Sequence, residues 1–228
     1  MERRILAPLA VIALATTAPS PALAADDTQL WTQASVGVKL SDKWRLSNEF
    51  VARFGDTANG LYEVENSTLL GYQITDQVSA WAGYVHNPTY LEGDLTAKER
   101  RLREQIVVDN IAKVGKASIG ARLRMEQRWR EGIDGTAWRM RPYVKLGVPL
   151  GGKTAPTLNV THENFINLNN TAFQSVDGFD RMRNAVSLSV PVSKVMKAEV
   201  GYLNQYRFVR AAPDLMEHAL TAGVGFSF

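Results

Sequence analysis

Arginine and glutamate recur at every second position along several stretches of the chain. The run Arg122-x-Arg124-x-Glu126-x-Arg128-x-Arg130 is the densest, and Arg139-x-Arg141 follows it. Arg101-x-Arg103 and Arg181-x-Arg183 repeat the spacing, and Arg45, Glu49 and Arg53 share one parity. Arginine outnumbers lysine by 17 to 9. A guanidinium makes two-point contacts with carboxylates and oxyanions and keeps its charge when partly buried, where lysine shifts its pKa or seeks water. Two roles suit such a face. Arginine and glutamate can interlock and fill a narrow interior. Alternatively, arginine rows on neighbouring segments can attract and pass carboxylates, sulfates or phosphates. Positive charge concentrates in 122–130 and 139–145, with six Arg and one Lys against Glu126, so an anion path would run there.

Other chemistry is thinly represented. Cysteine is absent, which excludes thiol nucleophiles, Cys-based metal sites and disulfides. The histidines are His86, His162 and His218. A hydrolase acting on lipid would need serine and an orienting group beside one of them. Leu220 stands two residues after His218 and Asn164 two after His162, so no catalytic constellation emerges. An interfacial lipid-modifying enzyme is the third alternative, behind the filled barrel and the anion channel. Gly151-Gly152-Lys153 has the wrong spacing for a phosphate loop. No cofactor and no metal is expected.

The elements that would position the charged face are strands. Trp44, Leu46, Phe50, Ala52 and Phe54 alternate with Arg45, Ser47, Glu49 and Arg53. Ala117, Ile119, Ala121, Leu123, Met125 and Trp129 alternate with the 122–130 arginines, and Met182, Val186, Leu188 and Val190 with Arg181 and Arg183. A period of two gives a strand one apolar and one polar face. Glu63, Glu65, Asp109, Lys145, Glu163, Glu199 and Arg207 fall with the arginines. The segments are 28–40, 43–54, 61–74, 77–87, 99–114, 116–130, 137–150, 154–168, 179–192, 194–210 and 215–228. They exceed the roughly 5–6 residues of a soluble strand and suit tilted membrane strands of about 9–11. Short turns at 41–43, 75–77, 115–116, 151–153 and 193–194 alternate with longer loops near 55–61, 88–98, 131–136, 169–178 and 211–214. The fold class is therefore all-β: an antiparallel up-and-down transmembrane β-barrel of about 10–12 strands. Bacterial barrels usually have an even strand number, so eleven segments leave one strand in question. Aromatics at segment ends, among them Trp31, Trp44, Tyr72, Tyr84, Tyr143 and Tyr202, suit interfacial girdles.

Both ends of the chain carry address signals. Met1 to Arg4 is a basic head, Ile5 to Ala18 is largely apolar, and Ala22-Leu23-Ala24 is an Ala-x-Ala site. Residues 1–24 read as a signal peptide cleaved after Ala24, leaving 25–228 as one barrel domain. Cleavage removes Arg3, Arg4 and Glu2 and leaves 24 basic against 22 acidic residues. The near balance argues against a nucleic-acid partner. The last nine residues put Leu220, Ala222, Val224, Phe226 and Phe228 on one face. Such a strand resembles the signal read by the machinery that inserts outer-membrane barrels. The expected location is the Gram-negative outer membrane, with lipid and lipopolysaccharide as surroundings and anionic solutes as candidate cargo.

Gln29-Leu30-Trp31-Thr32, Asp42-Lys43-Trp44, Arg101-Leu102-Arg103-Glu104-Gln105 and Arg122-Leu123-Arg124-Met125-Glu126-Gln127-Arg128 occur in that order across most of the chain. Together they resemble an uncharacterised family of Gram-negative outer-membrane proteins, the domain-of-unknown-function family numbered 2490. The resemblance implies an outer-membrane β-barrel and brings no activity or functional residues with it.

Overall fold

The structure is a computed structural model that describes residues 27–152, 154–174, 177–210 and 212–228. The expected signal peptide, 1–24, lies outside the described residues. Among the described residues eleven strands follow one another: β1 (Asp27–Lys39), β2 (Trp44–Gly55), β3 (Gly60–Gln73), β4 (Val78–Leu91), β5 (Asp94–Val114), β6 (Ala117–Arg130), β7 (Ile133–Pro149), β8 (Thr157–Asn167), β9 (Gly178–Pro191), β10 (Met196–Arg207) and β11 (Leu215–Ser227). Each pairs with its sequence neighbours, and β1 meets β11 to close a barrel.

The closing pair is parallel, with Asp27 opposite Glu217 and Gly37 opposite Ser227. This departs from a wholly antiparallel barrel, and strand parity is the reason. In a meander of eleven strands the first and last run the same way, so closure must be parallel. All eleven segments read from the sequence are strands, and Trp31 lies within the first. The terminal residue is locked into the seam: Phe228 N donates to Gly37 O at 2.8 Å and Lys39 N to Phe228 O at 2.8 Å.

The alternation places apolar side chains outside. Leu30, Phe50, Leu70, Leu102, Leu123, Val160, Val186, Val200 and Leu220 are all exposed, Leu220 at 64%. The buried set is instead rich in Arg, Glu, Asn and Gln. An apolar belt around a polar interior inverts the soluble pattern and suits hydrocarbon surroundings, where a closed barrel satisfies its own backbone. Every strand has at least eleven residues, enough to cross a bilayer when tilted.

The loops differ from the sequence expectation at two places. The stretch 88–98 is mostly strand, with only Glu92 and Gly93 between β4 and β5. Both have positive φ, 52° and 89°, which suits a tight hairpin turn whose twist matches the strands. The stretch 131–136 likewise contracts to Glu131-Gly132. Polar residues there continue the ladder instead of leaving it. The rim opposite Phe228 therefore carries tight hairpins beside the longer connections at 168–177 and 208–214.

Inside, the β3–β4 wall is packed below the charged zone. Trp81 lies against Gly71 so closely that a Cβ there would come within 2.4 Å of the indole. Leu69 is buried on the same wall, opposite Gly83. The facing wall, β8 to β11 and β1, presents Ser187, Ser189, Thr221 and Gly223 and stays open.

Candidate functional site

Register brings the arginine face together. Arg103 on β5, Glu126 on β6 and Arg139 on β7 lie directly opposite one another. Glu126, 0% exposed, is the hub. Its Oε2 accepts from Arg139 Nε at 2.9 Å and Nη2 at 2.6 Å. Its Oε1 accepts from Arg103 Nε at 3.0 Å and Nη2 at 2.9 Å, and from Arg141 Nη1 at 3.0 Å. Arg103, 1% exposed, also reaches across β4 to Glu65 Oε1 on β3 at 2.8 Å. The network thus joins strands that are not neighbours.

Glu63, Glu99 and Glu163 extend it beyond Glu65. Glu65 also accepts from Arg101 Nη1 at 3.0 Å and faces Arg53 Nη2 at 3.9 Å, and Arg53 pairs with Glu63. Glu99 takes Arg128 in a two-point contact at 2.8 Å and 2.8 Å, and Arg101 Nε at 2.5 Å. Glu163 on β8 takes Arg141 at 3.2 Å and 2.9 Å and Arg122 Nη2 at 2.5 Å. Asn87 donates to Glu63 and accepts from Arg101. Buried charges are tolerated when paired and hydrogen-bonded in this way.

Aromatic rings support the arginines. Phe165 is 2% exposed, with the guanidiniums of Arg141, Arg183, Arg139 and Arg181 at 4.2, 4.6, 5.2 and 5.6 Å from its centroid. Arg53 and Arg183 sit 4.4 and 4.6 Å from Trp31, and Arg122 4.5 Å from Tyr143. Such contacts contribute about 0.5–2 kcal/mol each. Trp31 and Tyr143 therefore point into the lumen, not to a girdle. Trp44, Tyr84 and Tyr202 are exposed on the outer face.

The β8–β9 loop caps the network. Gln174 accepts from Arg128 Nη1 at 2.8 Å and donates to Asn169 O at 2.8 Å and Trp138 O at 3.1 Å. Phe173 lies 5.1 Å from the Arg130 guanidinium and 5.8 Å from that of Arg128.

Of the residues anticipated from sequence, Arg53, Arg101, Arg103, Arg122, Arg124, Glu126, Arg128, Arg130, Arg139, Arg141, Arg181 and Arg183 share this interior. Glu49 lies nearer the Phe228 rim, accepting from Gln33 at 2.7 Å. Arg45 is exposed at that rim, opposite Lys39. Asp109 is exposed and stands at the register shift between Val108 and Ala112, beside the β5–β6 turn. Glu99, Asn87, Trp31, Phe165 and Gln174 complete the network without having been anticipated as lumen residues. Parity alone would have found the first four; nothing local marks Gln174, which comes from a loop.

Below the network lies a vestibule of about 500 Å³. It runs from Arg124, Arg141 and Glu163 to Ser189, Lys197 and Gly225, which stand within two residues of the strand ends at the Phe228 rim. Seven of its lining side chains are cationic and four acidic.

His162 and His218 lie on the outer face. His162 Nδ1 hydrogen-bonds Asn184 Oδ1 at 2.7 Å, and His218 pairs with Tyr202. Their hydrogen-bond partners are thus an amide and a phenol. Among the described residues no group of three or more His, Cys, Asp or Glu could hold a metal ion.

With this geometry in view, three similarities are informative. The chain is 27% identical to an uncharacterized protein of Methylorubrum extorquens over 226 residues, covering 96% of this chain and 95% of the relative. The fold is similar to that of the NanC porin in a rhombohedral crystal form, with a TM-score of 0.54 at 13% identity, covering 89% of this chain and 99% of that one. At that identity the likeness concerns the fold alone. Residues 28–216 match the model of a family described as proteins of unknown function, DUF2490. The chain belongs to that family.

Proposed function

We propose that this protein is a Gram-negative outer-membrane β-barrel whose lumen is closed by an interlocked Arg/Glu network and does not form a steady open pore. Glu126 carries the reading. It is fully buried and held by three arginines from the two flanking strands, one of which also ties β5 to β3. Long side chains crossing a small lumen fill it as a hydrophobic core would fill a soluble barrel. The Gln174 cap adds a second layer. Export with a cleaved signal, insertion through the strand ending in Phe228, and contact with outer-membrane lipid and lipopolysaccharide belong to the same proposal.

A second role, an anion-selective channel, is favoured by one observation. Among the described residues seven buried arginines face four buried glutamates, so any path would prefer anions. Arg122, Arg124, Arg128, Arg130, Arg139 and Arg141 would line it. Single-channel recording in planar bilayers separates the two. A closed barrel leaves the bilayer sealed apart from rare openings. A steady ohmic conductance from folded wild-type protein would overturn that reading, and anion preference in it would establish the channel.

A further inference from the structure

Two arginines in the vestibule differ from all the others. Arg124 donates its Nε to Gln105 Oε1 at 2.8 Å, and Arg183 its Nε to Gln205 Oε1 at 2.6 Å. Each glutamine stands directly opposite its arginine on the next strand. Neither arginine has a carboxylate partner among the described residues, whereas their neighbours Arg53, Arg101, Arg103, Arg122, Arg128, Arg139 and Arg141 all do. A glutamine orients the guanidinium without cancelling its charge. Both terminal nitrogens of Arg124 and Arg183 are left to the vestibule they line.

The surroundings sharpen this. The charged neighbours of Arg124 include Arg103, Arg122 and Arg141, and those of Arg183 include Arg53, Arg141 and Arg181. Glu163 is an acidic neighbour of both, and it is already occupied by Arg122 and Arg141. Arg183 is further fixed between Trp31 and Phe165. Lys145 and Lys197 also line the vestibule, and its lining carries an excess of three positive charges. A partly buried cluster whose cations outnumber its carboxylates calls for an anion, and about 500 Å³ is the size of a small-molecule site. The open wall offers the hydroxyls of Ser187, Ser189 and Thr221 as further hydrogen-bonding groups.

We propose that the vestibule is a binding site for a small multivalent oxyanion of the phosphate, sulfate or polycarboxylate class, entering from the Phe228 rim and held by Arg124 and Arg183. Arg122 and Arg141, each already engaged by Glu163, set its floor. The proposal rests on the barrel reading above but not on whether the barrel conducts.

Thermal unfolding of the folded protein in detergent micelles, with inorganic phosphate as probe and chloride at equal ionic strength as control, tests it. A ligand that binds only the folded state raises Tm; about a hundredfold excess over Kd raises it by roughly 5–10 °C for a chain of this size. Phosphate should give that shift and chloride should not. Arg124→Gln and Arg183→Gln should each abolish the shift while keeping the folded gel mobility, because neither leaves an orphaned carboxylate. Arg210→Gln, the same charge removed from a loop at the opposite rim, should retain it. Equal shifts in phosphate and chloride would reduce the effect to screening and overturn the site, as would a full phosphate shift in both glutamine variants. Should either variant fail to fold, calorimetric titration of the wild type with phosphate decides alone, and no binding there ends the proposal. A sealed bilayer with no phosphate binding removes the site and leaves the closed barrel standing. A steady pore with phosphate binding does the reverse.

Discussion

At the scale of single residues, the network separates arginines that hold the barrel from arginines that do not. Glu126 serves three guanidiniums in a buried position. Glu126→Gln removes the charge that compensates them and should destabilise the folded barrel by about 3–5 kcal/mol, as breaking buried ion pairs does. Arg124→Gln should cost about 1 kcal/mol, since among the described residues Arg124 answers a glutamine and no carboxylate. Denaturant unfolding in micelles measures both; equal losses would mean the network does not discriminate between them. The arginine positions were legible in the sequence because a period of two fixes the face whatever the fold does elsewhere. Glu99 and Phe165 lie on that same parity. Their roles were not legible, because a hub is defined by what stands across from it, and register is a property of strand pairs. Gln174 was hidden for a stronger reason: its loop has no periodicity to betray its direction.

The elements carry two further tests. The chain has no cysteine, so a pair introduced across the seam reports on β1 and β11 alone. Gln33 stands opposite Gly223, and a Cβ on Gly223 would lie 3.4 Å from the Gln33 Cβ, close to the roughly 3.5–4.5 Å of a disulfide. Gln33→Cys with Gly223→Cys should cross-link on oxidation, read as a mobility shift reversed by reductant. Absence of the cross-link, with Gln33→Cys and Val51→Cys on the β1–β2 pair as the antiparallel comparison, would argue against the parallel seam. The outer face is tested at Leu220. Leu220→Arg should cost up to about 2–4 kcal/mol on folding into vesicles, its full value applying near the bilayer midplane. A loss within about 0.5 kcal/mol, typical of a water-facing site, would remove lipid from that face. The turns at 92–93 and 131–132 show where element boundaries escaped the sequence: polar, charged residues there look like loop, yet positive φ at Glu92 and Gly93 in the one and at Gly132 in the other lets the ladder run on to its tip.

The whole molecule is a barrel turned inside out relative to a soluble one, and its cohesion depends on backbone closure and luminal ion pairs instead of an apolar core. Such a barrel should migrate as a compact species on a gel until boiled and partition with outer membranes; recovery as a soluble periplasmic protein would contradict it. Strand alternation, segment number and the polar and apolar faces were all determined by the sequence itself, because each depends only on residues two apart along one strand. Three things needed the closed structure. Closure made the β1–β11 seam parallel, since eleven strands cannot return with the opposite sense. Register decided which arginines meet a carboxylate and which, like Arg124 and Arg183, meet a glutamine. The Arg/Glu network fills one end of the lumen, and the packing of Trp81 and Leu69 on one wall, with serine and glycine on the other, decided on which side the remaining space stays hollow. Those are contacts between strands far apart in the chain, and no local pattern encodes them.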